Sequence, residues 1–226
     1  MPDPHGTKAS SIEAMVKQID ANRDVVLGVK YHHSQGYESL VLAREAADFA
    51  GTMMMFETYG PRLKHLLEYM KPGDVATHFF HGQFRCSMFD ERGKVIPELY
   101  AALERGVRLD VGHGARGFSF RAMEQALDQG VKPFTISTDL HGGNVDGPVY
   151  DMPTTVSKFL PLGFSLDEAI LLSTHNPAIV LGQEDELGTL KEGAVADVVV
   201  WELEEGEFEF MDVLHEVRQG RHMLVP

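Results

Sequence analysis

Two rhythms of apolar and polar residues share most of this chain. Stretches such as SSIEAMVKQIDAN at 10–22 and YESLVLAREAADFA at 37–50 place apolar residues at helical spacing. Between such stretches lie short runs that are apolar on both faces: VVLGVK, TMMMFE, DVATH, VRLDVGH and FTISTD. Runs of that kind predict buried parallel strands. The pattern predicts a helix over 10–22 capped by Ser10 or Ser11, a strand ending at Lys30, and a helix over 37–50 closed by Gly51. It continues with strand 52–57, helix 61–70 stopped at Lys71-Pro72-Gly73, strand 74–79, a loop over 81–93, helix 96–105, strand 107–112, helix 119–129, strand 133–138 and a helical region at 153–162. One strand plus one helix recurs every 20 to 35 residues or so, which is roughly the length of a β/α unit.

The rhythm changes near residue 165. SLDEAILLSTHNPAIVLG predicts two short helices, with Ser165 as cap and Pro177 at the start of the second. LGTLKEGAVADVVVWEL and EFEFMDVLHEVRQGRHML are strand-like and separated by acidic loops. The predicted architecture is α/β: a partial TIM-type (β/α) barrel over 1–185, followed by a small β region over 186–226.

Each of the five apolar runs ends in a residue that can bind a metal or move a proton: Lys30, Glu57, His78, His113 and Asp139. Barrel enzymes keep their chemistry at the C-terminal ends of parallel strands. A lysine ending a buried strand either snorkels into solvent or loses its charge, and a neutral amine can add carbon dioxide to become a carbamate. His78 is a candidate metal ligand, whereas His81 falls in the following loop, where it would touch substrate or support a ligand. Asp139 either caps the turn at LHGG or binds a metal and takes up a proton. His113, between two glycines, reads as a substrate contact, and His141 with the glycines beside it marks a tight loop after Asp139. Arg85 and Arg116 lie in loops and are either solvated or paired with a substrate carboxylate.

Composition narrows the field. Net charge is −14 and no lysine- or arginine-rich run is present, which argues against a nucleic-acid or anionic-membrane partner. No stretch approaches the roughly 18 apolar residues of a membrane span. The single cysteine, Cys86, fits a reducing compartment, and the expected location is cytoplasmic.

The segments GVK, THFFHG, LDVGHGARGFSF, TISTDLHGGNVDGPVYDMPTTVSKFL and THNPAIVLG…LGTLKEGAVADVVVWEL resemble the amidohydrolase superfamily, in the branch of dihydroorotase-like enzymes and N-acyl deacetylases. The matching stretches cover nearly all of residues 20–205. The resemblance implies that the chain supplies about strands four to eight of the family's barrel. It implies hydrolysis of a C–N bond in a small N-acyl or cyclic amide by metal-activated hydroxide. Lys30 would be the carboxylated lysine bridging two divalent metals, foremost zinc, His78 the ligand on strand six, and Asp139 the ligand and proton carrier on strand eight. His113 and the loop from His141 to Tyr150 would line the substrate pocket. Two positions depart from the family. No His-x-His pair precedes Lys30, where His5 is the one histidine. Phe56 stands at the strand-five histidine, with Glu57 beside it, so a β-bulge is expected if Glu57 is to serve as a ligand. One metal held by His78, Asp139 and Glu57 is the mononuclear alternative. Five strands cannot close a cylinder. The chain is therefore expected to be a piece of a longer product, to pair with another copy or a complementing chain, or to be poorly soluble. The non-catalytic alternative is an amidohydrolase-derived scaffold.

Overall fold

The computed structural model describes residues 12–59, 62–83 and 87–226. Ile12, Met15, Val16 and Ile19 fall on α1 (Ile12–Ala21), whereas the expected caps Ser10 and Ser11 lie outside the described residues. The next apolar run forms β1 (Gly28–Tyr31), and α2 (Gly36–Ala50) follows. Gly51 ends α2 in the left-handed conformation that a residue without Cβ adopts freely. Then come β2 (Met53–Glu57), α3 (Leu63–Tyr69), β3 (Val75–Thr77), α4 (Pro97–Glu104) and β4 (Arg108–Leu109). The four strands make one sheet in the order β1-β2-β3-β4. The β1–β2 and β2–β3 pairs are parallel, as strands joined through helices must be.

The chain divides into two compact units, residues up to 77 with 83–108, and residues 78–82 with 109–226. In the first, Leu40 and Ala46 of α2 and Leu66 and Leu67 of α3 are buried, as are Met54, Phe56 and Ala76 of the sheet. A buried ion pair crosses this core: Arg44 Nη1 donates to Asp74 Oδ2 at 2.6 Å. Asp74 also accepts the backbone N–H groups of Met54 and Lys71, each at 2.7 Å. One carboxylate thereby ties α2, β2 and the turn before β3.

The second unit contains α5 (Phe120–Leu127), α6 (Met152–Ser157), α7 (Leu166–Ser173), α8 (His175–Leu181) and an antiparallel hairpin, β5 (Glu202–Met211) with β6 (Val217–Val225). Phe118 packs against Phe120 and Phe159, with ring centroids 5.1 and 5.5 Å away. Ser165 caps α7 in a full capping box with Glu168, as the sequence predicts.

Two expectations need correction. Residues 133–138 form no strand, only a parallel bridge at Asp110↔Thr135. Pro133 brings no N–H, and Ile136 donates to Leu172 rather than to a neighbouring strand. Residues 187–201 are not a strand either. Val198, Val199 and Val200 are 61%, 73% and 80% exposed, and a strand needs a ladder partner, which this stretch lacks among the described residues. Strand instead begins at Glu202 and runs through the stretch expected to be an acidic loop, because Glu202 pairs with Val225. The α/β class, the parallel sheet and a β region at the end of the chain are as predicted, and that region takes the form of the β5–β6 hairpin. Among the described residues, no helix is long and apolar enough to cross a membrane.

Candidate metal centre

Strand register builds the first cluster. Tyr31, the last residue of β1, pairs with Phe56, so the chain just past β1 meets Glu57 at the end of β2. A short 3-10 turn over His33–Gln35 begins there and turns two consecutive imidazoles toward that carboxylate. His33 Nδ1 lies 2.5 Å from Glu57 Oε2, and the His33 backbone N–H donates to the same oxygen at 3.1 Å. His32 Nε2 is 3.3 Å from it. The two imidazole rings stack at 4.7 Å, and Tyr59 meets His33 edge-on at 5.6 Å. One ligand atom from each of His32, His33 and Glu57 lies within 4.8 Å of the other two.

Burial acts to raise the Glu57 pKa, but the hydrogen bonds from the His33 ring and backbone, with the charges of both imidazoles, outweigh it and hold the carboxyl below its usual range. An anionic oxygen beside two imidazoles is a donor set for a borderline ion such as zinc. Two metal–ligand bonds of about 2.1 Å reach about 4.2 Å at most. A small inward movement of the half-exposed histidines closes the set, so the residues fit a metal.

His32 and His33 were not among the residues expected from sequence, although the signal, two adjacent imidazoles just past a strand, is visible in KYHHS. The bulge expected at Glu57 is absent. The register of Met55, Phe56 and Glu57 against Val75, Ala76 and Thr77 is continuous. Glu57 needs none, because it is the last strand residue and its partners belong to the neighbouring strand's loop. Lys30 lies within β1 opposite Met55, and it is exposed rather than buried as the apolar run suggested.

The second unit holds His78 and Asp139. Both have positive φ, 55° and 45°, in a region that non-glycine residues rarely occupy. Such conformations cost about 1–3 kcal/mol each and concentrate at functional sites. His78 is buried, and its Nδ1 faces the Gly112 carbonyl at 2.5 Å, which makes Nδ1 the protonated nitrogen. The lone pair on Nε2 then points to Asp139 Oδ2, 3.8 Å away. This gap exceeds a hydrogen bond but is one that two ligands of a single ion can span. Glycines clear the space. A Cβ on Gly114 would stand 2.5 Å from Asp139 Oδ2, and one on Gly117 would stand 2.0 Å from the Gly112 carbonyl oxygen and 2.8 Å from His78 Nδ1. Asn144, within the loop expected to line the pocket but not singled out there, is fully buried; it donates to the Asp139 carbonyl at 2.9 Å and accepts from the His141 N–H at 2.8 Å.

The four residues expected to contact substrate fall in two classes. His141 and Arg116 are exposed, whereas His81 and His113 are buried at 2% and 0% exposure. Burial, aided by nearby His78, pushes the His81 pKa down to about 4. Burial and the Lys158 cation push that of His113 down to about 3. Arg85 lies outside the described residues. Both buried histidines stay neutral when folded and take up protons near pH 6.5 when unfolded. The unfolded chain therefore binds more protons below pH 6.5, and stability falls as pH drops from there, by up to about 1.4 kcal/mol per pH unit for each histidine. The urea midpoint is expected to fall between pH 6.5 and 5, and the fall is expected to lessen in His113→Asn. A midpoint constant over that range contradicts this.

A sequence model of the amidohydrolase family matches residues 51–220. The chain belongs to the amidohydrolase family. A deacetylase of Brucella anthropi is 31% identical to this amidohydrolase, over 100% of the chain and 58% of that protein. A deacetylase of Agrobacterium fabrum is 30% identical, over 100% of the chain and 57% of that protein. Among solved structures, an adenine deaminase superposes with a TM-score of 0.88 at 29% identity, covering 95% of the chain and 61% of that structure. A dihydroorotase superposes with a TM-score of 0.84 at 29% identity, covering 99% and 60%. The dihydroorotase-like and deacetylase-like relatives are those the sequence motifs indicate. This amidohydrolase spans somewhat under three fifths of the length of the two deacetylases.

Proposed function

We propose that this chain carries metal-dependent hydrolysis of a C–N bond in a small N-acyl substrate, with zinc as the metal. The observation that carries the reading is the His32–His33–Glu57 cluster, two imidazoles and an anionic carboxylate at the ends of adjacent parallel strands. The relatives, two deacetylases, a dihydroorotase and an adenine deaminase, favour amide and related C–N bonds, and the two deacetylases favour an N-acyl over a cyclic substrate.

His32, His33 and Glu57 would hold the ion. A divalent metal so held supplies Lewis acidity, lowering the pKa of a water and polarising a carbonyl. The anionic Glu57 offsets the ion's charge, and β1 and β2 fix its direction. Lys30, two residues before His32, is the lysine the resemblance points to for a carbamate, but its exposure removes the burial that would favour the neutral amine such a carbamate needs. Considered by itself, the second unit offers Asp139, an exposed carboxylate of the kind that can carry a proton in hydrolysis. His78 presents its Nε2 lone pair toward Asp139, and Asn144 holds the Asp139 backbone.

The test is hydrolysis of a panel of N-acetyl amino and hydroxy acids and cyclic imides by the purified chain with added zinc. The expected result is zinc-dependent release of acetate, lowered at least about 100-fold in Asp139→Asn. Equal rates for the wild type and Asp139→Asn, or no turnover on any member with metal present, overturns the reading and leaves the scaffold alternative.

A further inference from the structure

Lys158, at the C-terminal end of α6, is 0% exposed. Its ammonium has three N–H donors, and three acceptors surround it: His113 Nε2 at 2.8 Å, the Pro148 carbonyl, and the Met211 carbonyl at 2.9 Å. His113 Nδ1 faces the Gly114 carbonyl at 3.0 Å, which leaves Nε2 as the accepting nitrogen. The acceptors come from three separate places: the run 109–113, the loop that follows Asp139, and the end of β5. Asp151 and Asp212 are the carboxylates that act on Lys158. Asp212 takes no direct bond from it, since its two oxygens accept the N–H groups of Phe120, Leu214 and Glu216 at 2.8, 2.8 and 2.9 Å.

We infer that Lys158 is a positioning residue that clamps the 139–151 loop to the run bearing His113 and Gly114, and thereby sets where the Asp139 carboxylate stands. Asp139 is reached from both ends of this clamp. On the loop side, Gly147 N–H donates to the Asn144 carbonyl at 3.1 Å, and the Asn144 side chain donates to the Asp139 carbonyl at 2.9 Å. On the other side, the N–H groups of His113 and Gly114 donate to the carbonyls of Ser137 and Thr138, each at 2.9 Å, bringing Gly114 beneath the Asp139 carboxylate. A lysine buried only for its packing would be replaceable by an apolar side chain of similar length. The clamp needs all three donors, because each goes to a different element, and two of its acceptors are part-buried backbone carbonyls that lose this bond when the ammonium is removed.

The catalytic consequence rests on the proposed reaction, whereas the structural one does not. Lys158→Met is compared with wild type by hydrogen exchange, by urea unfolding and, where a substrate turns over, by kcat and KM. The expected result is exchange at least about 10-fold faster at amides within 140–150, unchanged protection in α5, and a fall in kcat with KM nearly constant. Faster loop exchange without turnover in the wild type retains the clamp and removes the proposed reaction. Loop exchange equal to wild type, or a rise spread evenly through α5 and the loop, overturns the clamp. If Lys158→Met does not fold, wild type is measured at pH 6 and pH 9, each amide corrected for intrinsic rate. Burial lowers the Lys158 pKa to about 7 against the pull of Asp212 and Asp151, so deprotonation removes one donor over that range. His113 stays neutral throughout. Protection of the loop relative to α5 is expected to drop at pH 9, and constant relative protection overturns the inference.

Discussion

Asp74→Ala is expected to destabilise the chain by about 3–5 kcal/mol, the usual result of stripping one partner from a buried ion pair. Arg44 is 7% exposed and Asp74 1%. Removing the carboxylate leaves the guanidinium with Asp48, at 2.9 Å, on the more exposed side of α2. It also orphans the N–H groups of Met54 and Lys71, which donate to Asp74 now. Burial raises the Asp74 pKa, and the hydrogen bonds and Arg44 only partly offset it. The pair is therefore held at a desolvation cost, and the loss on breaking it should exceed the pair's own net worth. Asp74→Leu with Arg44→Met separates these two quantities and is expected to recover most of the stability. Urea denaturation followed by circular dichroism measures both variants. A loss below about 1 kcal/mol for Asp74→Ala would show that water reaches the orphaned groups.

What sequence could and could not reveal follows from how far apart the interacting residues lie. The β/α alternation was legible because a run apolar on both faces carries its own periodicity. That His78 and Asp139 come near each other, at 3.8 Å, fits their both ending such runs beside glycine-rich loops. The approach of His32 and His33 to Glu57 was not legible, since it depends on the register that sets Tyr31 opposite Phe56, and runs apolar on both faces specify register weakly. Lys158 was hidden for a stronger reason. In sequence it reads as an ordinary lysine within the helical region 153–162, and its burial comes from Met211, 53 residues on, and His113, 45 residues back. The run VADVVVW misled in the other direction. Local β-propensity is high there, but a strand exists only where another strand accepts its hydrogen bonds.

Glu57→Gln is expected to weaken zinc binding by well over 100-fold while leaving the fold intact. Losing an outer partner of a metal ligand costs about 10- to 100-fold, and losing a ligand should cost more. The substitution is nearly isosteric, and the amide oxygen of glutamine can still accept the His33 N–H. What disappears is the negative charge, which offsets the ion's charge and which the folded chain favours, since its bonds to His33 outweigh the cost of burial. Metal-free Glu57→Gln should thus be modestly less stable than metal-free wild type, whereas wild type alone should gain stability when zinc is added. Calorimetric titration of metal-free protein, paired with thermal unfolding with and without zinc, reads both effects. His33→Ala should show the same loss of affinity through a different ligand, and its agreement with Glu57→Gln would place both residues on one ion. Full zinc affinity in Glu57→Gln would mean that any metal sits elsewhere, and the cluster would then be an ordinary histidine–carboxylate hydrogen bond at the end of two strands.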